Sequence, residues 1–362
     1  MERLNWHIAD ELSRHAEVRV IGPQGAAALR PSNVEVTEVP LRPLWRFLTA
    51  SLWHAARTAR QWRPDVVLAG SGLTAPAALI AARAASARPA VYLHGLDVAV
   101  RHPVYRVLWH PAIRRMDTVI ANSSLTSKLA IDAGVDSAAL HIVHPGVQMP
   151  DAPQPAQALQ DFRKRHNLGE GPLLLSIGRL TTRKGLREFV QHSLPEIVRS
   201  HPDLTLVVIG DAPADSLHAS AQTRESIQAA AEMVGVRRHL RFLGLVDDAT
   251  LACAYEAAAV HVFPVRSLSG DPEGFGMVAI EAAAHGLPTV AFASGGVVDA
   301  VAEGRSGRLI PQEDYTAFTR AVLRVLDGSR HSWEMHTIEF AGNFAWSAFG
   351  QRMIDALIAG HG

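Results

Sequence analysis

Cysteine is nearly absent from this chain, and charge is sparse. A single residue, Cys253, occurs in 362, which excludes an internal disulfide and a cysteine-based metal site. That usage fits a reducing compartment, and we expect a cytoplasmic protein. Charged residues make up 19% of the chain against 48% hydrophobic residues, the reverse of the balance that keeps chains disordered. The composition therefore predicts a well-buried globular protein, long enough for two domains.

Long apolar segments are missing as well. The best candidate for a membrane span, LTAPAALIAARAASA, is Ala-rich and contains Arg83, so we expect no bilayer-spanning helix. The residues after Met1, ERLNWHIADELSRH, are typical of an amphipathic helix and not of an apolar leader, so no signal peptide is indicated.

Several common nucleotide and metal motifs do not occur. There is no Gly-x-x-x-x-Gly-Lys-Ser/Thr loop and no Asp-x-Asp, and the nearest acidic pair is Asp271 and Glu273. The two histidines of HIVH, His141 and His144, have no third ligand in view, so we expect no metal site. The segment Ala69–Ala75, AGSGLTA, matches a loose Gly-x-Gly-x-x-Ala loop. No acidic residue follows about 20 positions later at a strand end, which argues against dinucleotide binding.

Charge is divided unevenly along the chain. The first 150 residues carry 16 Lys and Arg against 11 Asp and Glu, and the remainder carries 19 against 24. A basic N-terminal half suggests an anionic partner, such as a phospholipid surface or a phosphorylated acceptor. Chance drift between two domains explains the same numbers, so both interpretations stay open.

Short β-branched runs alternate with helical patterns throughout. The first half contains VRVIG, DVVLAG, AVYLHG and TVIANS, and the second half contains LLLSIGR, LTLVVIGD, LRFLG, VHVFPV and PTVAFA. Buried strands that end in Gly, Ser or Asp before a helix are typical of parallel α/β sheets. Two such series predict two doubly wound, Rossmann-like domains, with ligands bound beyond the carboxyl ends of the strands.

Proline marks the boundary between the two series. The segment His144–Gln160, HPGVQMPDAPQPAQALQ, contains four prolines and is the predicted linker region. We expect an N-terminal domain over residues 1–148, a linker over 149–171 and a C-terminal domain over 172–345. A last helix, at about 346–360, is expected to complete the N-terminal domain.

Two glutamates flank a Gly-Phe-Gly step in GDPEGFGMVAIEAAAHGLPTVAF. A helix should begin near Gly276, which places backbone N–H groups of Phe275, Gly276 and Met277 at its N-terminus. The partial positive charge of a helix N-terminus suits a phosphate or a sugar oxygen.

The two glutamates then reach one cleft at different heights. Glu273 precedes the helix, and Glu281 lies about one and a half turns inside it. A carboxylate is a natural bidentate acceptor for paired hydroxyls of a ribose or hexose. The alternative is an ordinary helix with one capping Glu and one solvated Glu.

A second motif, SIGRLTTRKGL, follows a predicted strand that ends at Ile177. Its glycine-containing loop carries Gly178, Arg179 and Lys184. Two cations after a strand end suit a diphosphate, Arg by its fork and Lys as a point charge. Solvated loop cations are the alternative.

In combination, GRL…KG, VVIGD, FLG, FP, EGFG…E, GLPTVA and GG resemble the retaining glycosyltransferases of the family-4 type, over most of Leu173–Ile310. The resemblance implies a two-domain GT-B fold whose C-terminal domain binds a nucleotide-sugar donor, with neither a metal nor a further cofactor. Transferred by position, the resemblance implies that the diphosphate is bound by Gly178, Arg179 and Lys184. It implies that the nucleotide ribose is bound by Glu281 and that Leu245 lies beside the base. The transferred sugar would be bound by Glu273, Phe275, Gly276 and Met277.

The N-terminal half carries one further implied site residue. In YLHGLD, His94 follows a strand where the family keeps a histidine near the donor phosphate and sugar. The resemblance therefore implies that His94 and Glu273 are catalytic. Asp97 is a weaker candidate because a helix-cap role explains it equally well. Gln148 stands where the family has an Asp, which puts any role for this side chain in doubt.

A basic, aromatic segment covers Arg42–Arg63. One predicted helical face carries Arg42, Arg46, Trp53, Arg57 and Arg60, and another carries Trp45, Leu48, Leu52, Ala56 and Ala59. A basic stripe flanked by Trp would suit an anionic membrane. The alternative is a normal surface helix with its apolar face in the core. Nucleic acid is not an expected partner, because no recognition motif occurs.

The beginning of the chain departs from the family. There, a first strand and a Gly-Gly loop precede the first helix, whereas this sequence begins at a helix. We therefore expect a GT-B fold from which that strand and loop are missing, and an internal methionine at Met1.

The resulting prediction is a metal-independent retaining hexosyltransferase that uses a lipid-linked or surface-polysaccharide acceptor. The sequence of Gly270–Ala284 resembles that of mannosyltransferases acting on phosphatidylinositol-type lipids, so GDP-mannose is favoured over UDP-sugars as the donor. A catalytically silent nucleotide-binding subunit and an epimerase of the same fold remain alternatives.

Overall fold

The computed structural model describes residues 2–100, 102–212, 222–268 and 270–359. The chain divides into two compact units, residues 1–146 with 346–362 and residues 147–345. The elements of unit 1 are α1 (Glu2–Ser13), β1 (Arg19–Pro23), β2 (Glu35–Val39), α2 (Leu44–Trp62), β3 (Val66–Ala69), α3 (Ala75–Ala85), β4 (Arg88–Leu93), α4 (Leu96–Ala99), α5 (Pro103–Leu108), α6 (His110–Ile113), β5 (Thr118–Ala121), α7 (Ser124–Asp132), β6 (Leu140–Ile142) and α17 (Trp346–Ile358).

Unit 1 contains two parallel sheets. Strands β3-β4-β5-β6 pair in that order, and β1 and β2 pair with each other in a separate sheet. The pairing of Ala69 with Val91 fixes the register of β3 and β4. Their carboxyl ends therefore lie side by side, and the loops that follow them are neighbours.

The first and last helices cover one face of the larger sheet. Ile8 of α1 and Phe349 and Met353 of α17 pack with Tyr92 of β4 in one buried cluster. The His7 ring stacks on Trp346 with centroids 3.7 Å apart. Helix α17 thus completes the core of unit 1 although it comes last in sequence.

Unit 2 is a doubly wound domain with one six-stranded parallel sheet of order β12-β11-β10-β7-β8-β9. Its elements are α8 (Ala156–Arg165), β7 (Leu173–Ile177), α9 (Leu186–His192), α10 (Leu194–Ser200), β8 (Thr205–Ile209), α11 (Arg224–Met233), β9 (Leu240–Gly244), α12 (Asp248–Ala257), β10 (Val260–Phe263), α13 (Met277–Ala284), β11 (Thr289–Phe292), α14 (Val297–Ala300), β12 (Gly307–Ile310), α15 (Tyr315–Asp327) and α16 (His331–Gly342).

The predicted class, parallel α/β with two Rossmann-like domains, is confirmed by these sheets. The predicted linker over 149–171 needs correction, because it contains α8. Phe162 and Leu168 are buried in the core of unit 2 with Leu173 and Tyr255. An amphipathic segment with buried side chains packs as a helix, and only the proline-rich part before it is irregular.

Three strands of the described residues were absent from the predicted series: β2, the three-residue β6 and β12. Strand β2 contains the exposed Glu35 and Glu38 and belongs to the small sheet. Strand β12 is four residues long and pairs with β11 at the edge of the sheet. Within the described residues, no helix is long and apolar enough to cross a membrane.

Candidate functional site

Unit 2 has a topological switch point between β7 and β10. These neighbouring parallel strands pair through Leu174 with Val260. From β7 the chain builds the sheet outward through β8 and β9, and from β10 it builds the opposite side through β11 and β12. Connections leave the two strands in opposite directions at such a point, which opens a crevice at their carboxyl ends. The loops that line this crevice carry both predicted donor motifs.

The loop after β7 brings Lys184 back towards the strand end. Gly178 follows the strand with φ 136, a backbone conformation that L side chains rarely adopt. Its N–H donates to the Ile209 carbonyl of β8 at 3.0 Å. A short 3-10 turn then places Lys184 with its ammonium 4.6 Å from the centroid of the Phe263 ring. Arg179 of the same loop is exposed.

The loop after β10 carries a carboxylate that pairs with two cations of the loop after β7. One oxygen of Glu273, Oε2, accepts from Lys184 Nζ at 2.8 Å and from Arg183 Nη1 at 2.6 Å. Arg183 Nε also lies 3.3 Å from Asp271 Oδ1. Two cations and two carboxylates therefore form one four-residue cluster, called here the Glu273 cluster, whose formal charges cancel.

Electrostatics within the Glu273 cluster keep its central carboxylate ionised. Burial works to raise the pKa of Glu273, but Lys184 and Arg183 outweigh burial and hold that pKa below the ordinary range. Burial likewise lowers the pKa of Lys184, against the attraction of Glu273. An ionised, cation-paired carboxylate can only accept hydrogen bonds, and sugar hydroxyls can donate to it.

Helix α13 begins directly behind this cluster. Gly276 is its N-cap residue with φ 101, and Met277 is its first helical residue. The N–H groups of the first helical turn have no intrahelical partner and carry partial positive charge. Phe275 is 3% exposed and anchors the loop in the apolar core. The predicted helix start is thus one residue from the observed one.

Glu281 lies on α13 and contacts a residue that the sequence did not indicate. Tyr255 Oη of α12 donates to Glu281 Oε2 at 2.9 Å. Leu245, expected beside the nucleotide base, follows the edge strand β9 and is 84% exposed. The ribose role of Glu281 and the base contact of Leu245 stay predictions.

Unit 1 holds His94 at the carboxyl end of β4. Its Nε2 lies 2.8 Å from the Gly70 carbonyl at the end of β3. A carbonyl only accepts, so Nε2 carries the hydrogen and Nδ1 is the acceptor. Burial lowers the pKa of His94, with Asp97 opposing the shift. His94 is therefore a neutral imidazole of fixed tautomer.

The weaker candidates from the first half of the chain have structural contacts. Asp97 Oδ2 accepts the His94 backbone N–H at 2.8 Å, so it stabilises the turn that carries the histidine. His144 Nδ1 lies 3.1 Å from the Asn122 carbonyl. Gln148 is exposed, and its Nε2 donates to the Met149 carbonyl at 3.1 Å. No group of three or more His, Cys, Asp or Glu in the described ranges is arranged to hold a metal ion.

Arg183 and Tyr255 are the residues that sequence reasoning missed. Arg183 is 6% exposed, yet as half of an Arg-Lys pair in a loop it resembles a solvated cation. The sequence did contain a signal for a buried ion pair. Arg183 is adjacent to Lys184, and the second loop contains the acidic pair Asp271 and Glu273. Tyr255 offered none, since it lies 26 residues before its partner Glu281 on a different helix.

Comparisons with known proteins bear on both units. The family model described as "Glycosyltransferase Family 4" matches residues 1–149, and "Glycosyl transferases group 1" matches residues 171–328. The GDP-mannose-dependent alpha-(1-6)-phosphatidylinositol monomannoside mannosyltransferase of Mycolicibacterium smegmatis is 32% identical over 310 residues, covering 81% of this chain and 76% of the relative.

The chain belongs to glycosyltransferase family 4. A second relative, D-inositol 3-phosphate glycosyltransferase 2 of Catenulispora acidiphila, is 32% identical over 243 residues, covering 64% of this chain and 53% of the relative. Both of these relatives of the glycosyltransferase have an inositol-containing compound in their names.

Solved structures agree on the fold of the glycosyltransferase. Anabaena HepE in complex with UDP superposes with a TM-score of 0.80 at 19% identity, covering 99% of this chain and 96% of that one. A glycosyltransferase from Rickettsia africae gives a TM-score of 0.82 at 14% identity, with 99% and 94% covered. These likenesses establish the GT-B architecture.

Proposed function

We propose that this glycosyltransferase moves a hexose from a nucleotide diphosphate sugar to an acceptor hydroxyl with retention of configuration. The observation that carries the proposal is the Glu273 carboxylate, ionised and held by Arg183 and Lys184 at the crevice between β7 and β10. Directly behind it begins helix α13. A carboxylate for sugar hydroxyls and cations for a diphosphate thus occupy neighbouring positions at the expected ligand edge of the sheet.

Arg183 would allow Lys184 to bind phosphate while Glu273 keeps a cationic partner. Lys184 would have to leave Glu273, at least in part, to bind phosphate oxygens. Because Arg183 stays on the same Glu273 oxygen, the carboxylate keeps one cation when the lysine moves. Arg179 is exposed in the same loop and adds a second phosphate ligand. These cations would stabilise the leaving diphosphate without a metal.

The proposed chemistry needs no protein nucleophile. The bond from the anomeric carbon to the β-phosphate oxygen breaks, and the acceptor oxygen bonds to that carbon on the same face. The acceptor proton passes to the departing phosphate. Charge develops on the diphosphate and on the sugar ring as in an oxocarbenium ion, which the cations and Glu273 would stabilise. His94 would contribute as a neutral acceptor through Nδ1 from unit 1.

GDP-mannose is the donor we favour. Support comes from the relative named as GDP-mannose-dependent, at 32% identity. The sequence of Gly270–Ala284, which resembles that of mannosyltransferases, also supports this donor. UDP-sugars are the second donor class, because Leu245 and the end of β9 carry no side chain that selects one base by charge.

For the acceptor we propose a lipid-linked or surface glycan, reached at the cytoplasmic face of an anionic membrane. Helix α2 exposes Trp45 and Trp53 at 62% and 56%, and arginines lie over both rings, Arg46 on Trp45 and Arg57 on Trp53. Trp45 belongs to the predicted apolar face, and its exposure is unlike that of a residue buried in the core, the alternative interpretation of this helix. Exposed aromatic rings with basic neighbours suit a headgroup interface.

Calorimetric titration of the chain with GDP and with UDP tests the nucleotide site. Saturable binding of one nucleotide that is lost in Glu281→Ala supports the site and identifies the donor class. Binding of neither nucleotide overturns the proposal. A matched control, Glu232→Ala on the exposed surface of α11, should leave binding unchanged.

Turnover then separates the alternatives. Radiolabelled GDP-mannose and UDP-glucose are incubated with a phosphatidylinositol-containing lipid extract, with and without EDTA, and the anomeric configuration of the product is read by NMR. Retained configuration in EDTA is the expected result. Nucleotide binding without transfer would favour the silent subunit, and epimerised donor would favour the epimerase.

A further inference from the structure

Tyr255 links helices α12 and α13 through a hydrogen bond to Glu281. Its side chain is 2% exposed, and its hydroxyl donates to Glu281 Oε2 at 2.9 Å. Burial raises the pKa of Tyr255 well above its ordinary value, and the negative charge of Glu281 adds to the shift. The phenol therefore stays protonated at any working pH and can serve only as a donor to this carboxylate.

The Tyr255 ring is itself held in place. It stacks on His285 with centroids 5.1 Å apart and an interplanar angle of 11°. His285 Nδ1 lies 3.0 Å from Glu256 Oε1, and the next carboxylate oxygen of Glu256 accepts the Gln154 N–H at 2.6 Å. A carboxylate accepts, so His285 donates through Nδ1 and its ring plane is fixed. Stacking on a fixed ring leaves Tyr255 one orientation.

Arg330 ties the same two helices together at their carboxyl ends. Its guanidinium donates to the backbone carbonyls of Glu256 and Ala258 behind α12 and, at 3.1 Å, to that of His285 behind α13. A cation at a helix C-terminus pairs with the unsatisfied carbonyls and the partial negative charge there. Arg330 therefore joins the carboxyl ends of the two helices that carry Tyr255 and Glu281.

We propose that Tyr255 is the positioning residue of the ribose site. It fixes the rotation of the Glu281 carboxylate so that both ribose hydroxyls of the nucleotide can donate to it. The inference rests on the proposed function, because it takes Glu281 as the ribose ligand. Glu281 is half-buried and its side chain has three rotatable bonds, so a fixed donor on Oε2 restricts the rotation of the carboxylate and lowers the entropy cost of binding.

The test compares a ribonucleotide with its 2′,3′-dideoxy counterpart. GDP and UDP are titrated first, and whichever saturates the unmodified chain is used with its dideoxy analogue on Tyr255→Phe, Glu281→Ala and the double variant. Tyr92→Phe is the matched control, because Tyr92 is also fully buried and donates one hydrogen bond of 2.9 Å, to the Val143 carbonyl in unit 1.

We expect Tyr255→Phe to raise the Kd of the ribonucleotide about 5- to 20-fold and that of the dideoxynucleotide less than about twofold. Adding Tyr255→Phe to Glu281→Ala should change neither Kd, because the positioned group is already gone. Tyr92→Phe should lower thermal stability by a similar amount and leave both Kd values unchanged.

Two results would overturn the inference. An equal rise in the Kd of both nucleotides in Tyr255→Phe would mean a general loss of structure. No rise in either Kd would mean that Glu281 is oriented without Tyr255. Failure of the unmodified chain to bind GDP or UDP is a different outcome, since it removes the proposed function and the ribose role together.

Discussion

Arg183 and Glu273, 90 residues apart in sequence, form a buried ion pair in which Nη1 lies 2.6 Å from Oε2. Their side chains are only 7% and 12% exposed. The pair joins the loop after β7 to the loop after β10, so the two halves of the donor motif are connected by charge before any ligand arrives. Removing one member would leave an uncompensated buried charge.

Arg183→Met should destabilise the chain by about 3–5 kcal/mol, because Asp271 and Glu273 then share Lys184 alone. Nucleoside diphosphate affinity should fall as well, since Lys184 is retained by the carboxylates. Arg183→Lys should recover part of both losses. Denaturant unfolding and calorimetry measure the two effects, and Arg187→Met, at a more exposed neighbour, is the control. A fall in stability with unchanged diphosphate affinity would contradict the charge-balance argument.

Glu273→Gln should act in the opposite direction on nucleotide binding. The change releases Lys184 and Arg183 from a negative charge, so the Kd of GDP or UDP should stay the same or decrease. Transfer should nevertheless slow by on the order of 10²-fold, because the amide stabilises developing positive charge poorly. Steady-state kinetics and titration on the same preparation separate the effects. Parallel loss of binding and turnover would argue that Glu273 only maintains the loop.

His94→Phe should lower kcat/KM by about tenfold, the value of one hydrogen bond to the substrate. Because burial lowers the pKa of His94, the imidazole stays neutral as pH falls through the ordinary histidine range near 6.5. The acid limb of the activity profile that depends on His94 should therefore lie below that value. A limb at or above 6.5 that vanishes in His94→Phe would contradict the neutral tautomer.

Replacing both Trp45 and Trp53 by Ser should weaken binding to vesicles that contain phosphatidylinositol or phosphatidylglycerol, with turnover of a water-soluble acceptor unchanged. The rings are exposed, so the fold should lose little stability. Co-sedimentation at low and high salt measures the effect. Met233→Ser removes a similarly exposed apolar side chain from unit 2 and is the control. Equal binding of all three proteins would exclude α2 as the contact.

Stability should fall with acid through His261. This side chain is fully buried on β10 and contacts Thr289 Oγ1 at 3.0 Å, and burial lowers the pKa of His261 to about 3. In the unfolded chain the pKa is about 6.5. Between these values the unfolded state binds one more proton, so the unfolding free energy decreases as pH falls, by about 1.4 kcal/mol per unit.

Urea unfolding of the intact chain and of His261→Leu between pH 6.5 and 5 checks this slope. The variant should lose the contribution of one proton to the pH dependence, whatever its absolute stability. His331→Gln, at an exposed histidine, is the control. The same slope in His261→Leu would mean that other groups cause the acid sensitivity.

Local sequence patterns were sufficient for most strands and for the start of α13. The runs LLLSIGR and VHVFPV became β7 and β10 within two residues, because short apolar runs that end at Gly or Pro are typical of buried parallel strands. Strand β2 was missed because Glu35 and Glu38, which are three residues apart, interrupt its apolar pattern. Helix α8 was missed because four nearby prolines dominated the segment before it.

The sequence by itself determined the fold class, the family and the order of the donor motifs, because all three depend on short patterns that fold locally and recur in fixed order. Only the tertiary structure decided which charges meet. Arg183 is a buried partner of Glu273 and Arg179 an exposed cation, although they lie four residues apart in one loop. Tyr255 reaches Glu281 from another helix. Such pairings depend on how strands and helices pack side by side. The separation of two residues in the sequence does not indicate the distance between their side chains in the fold.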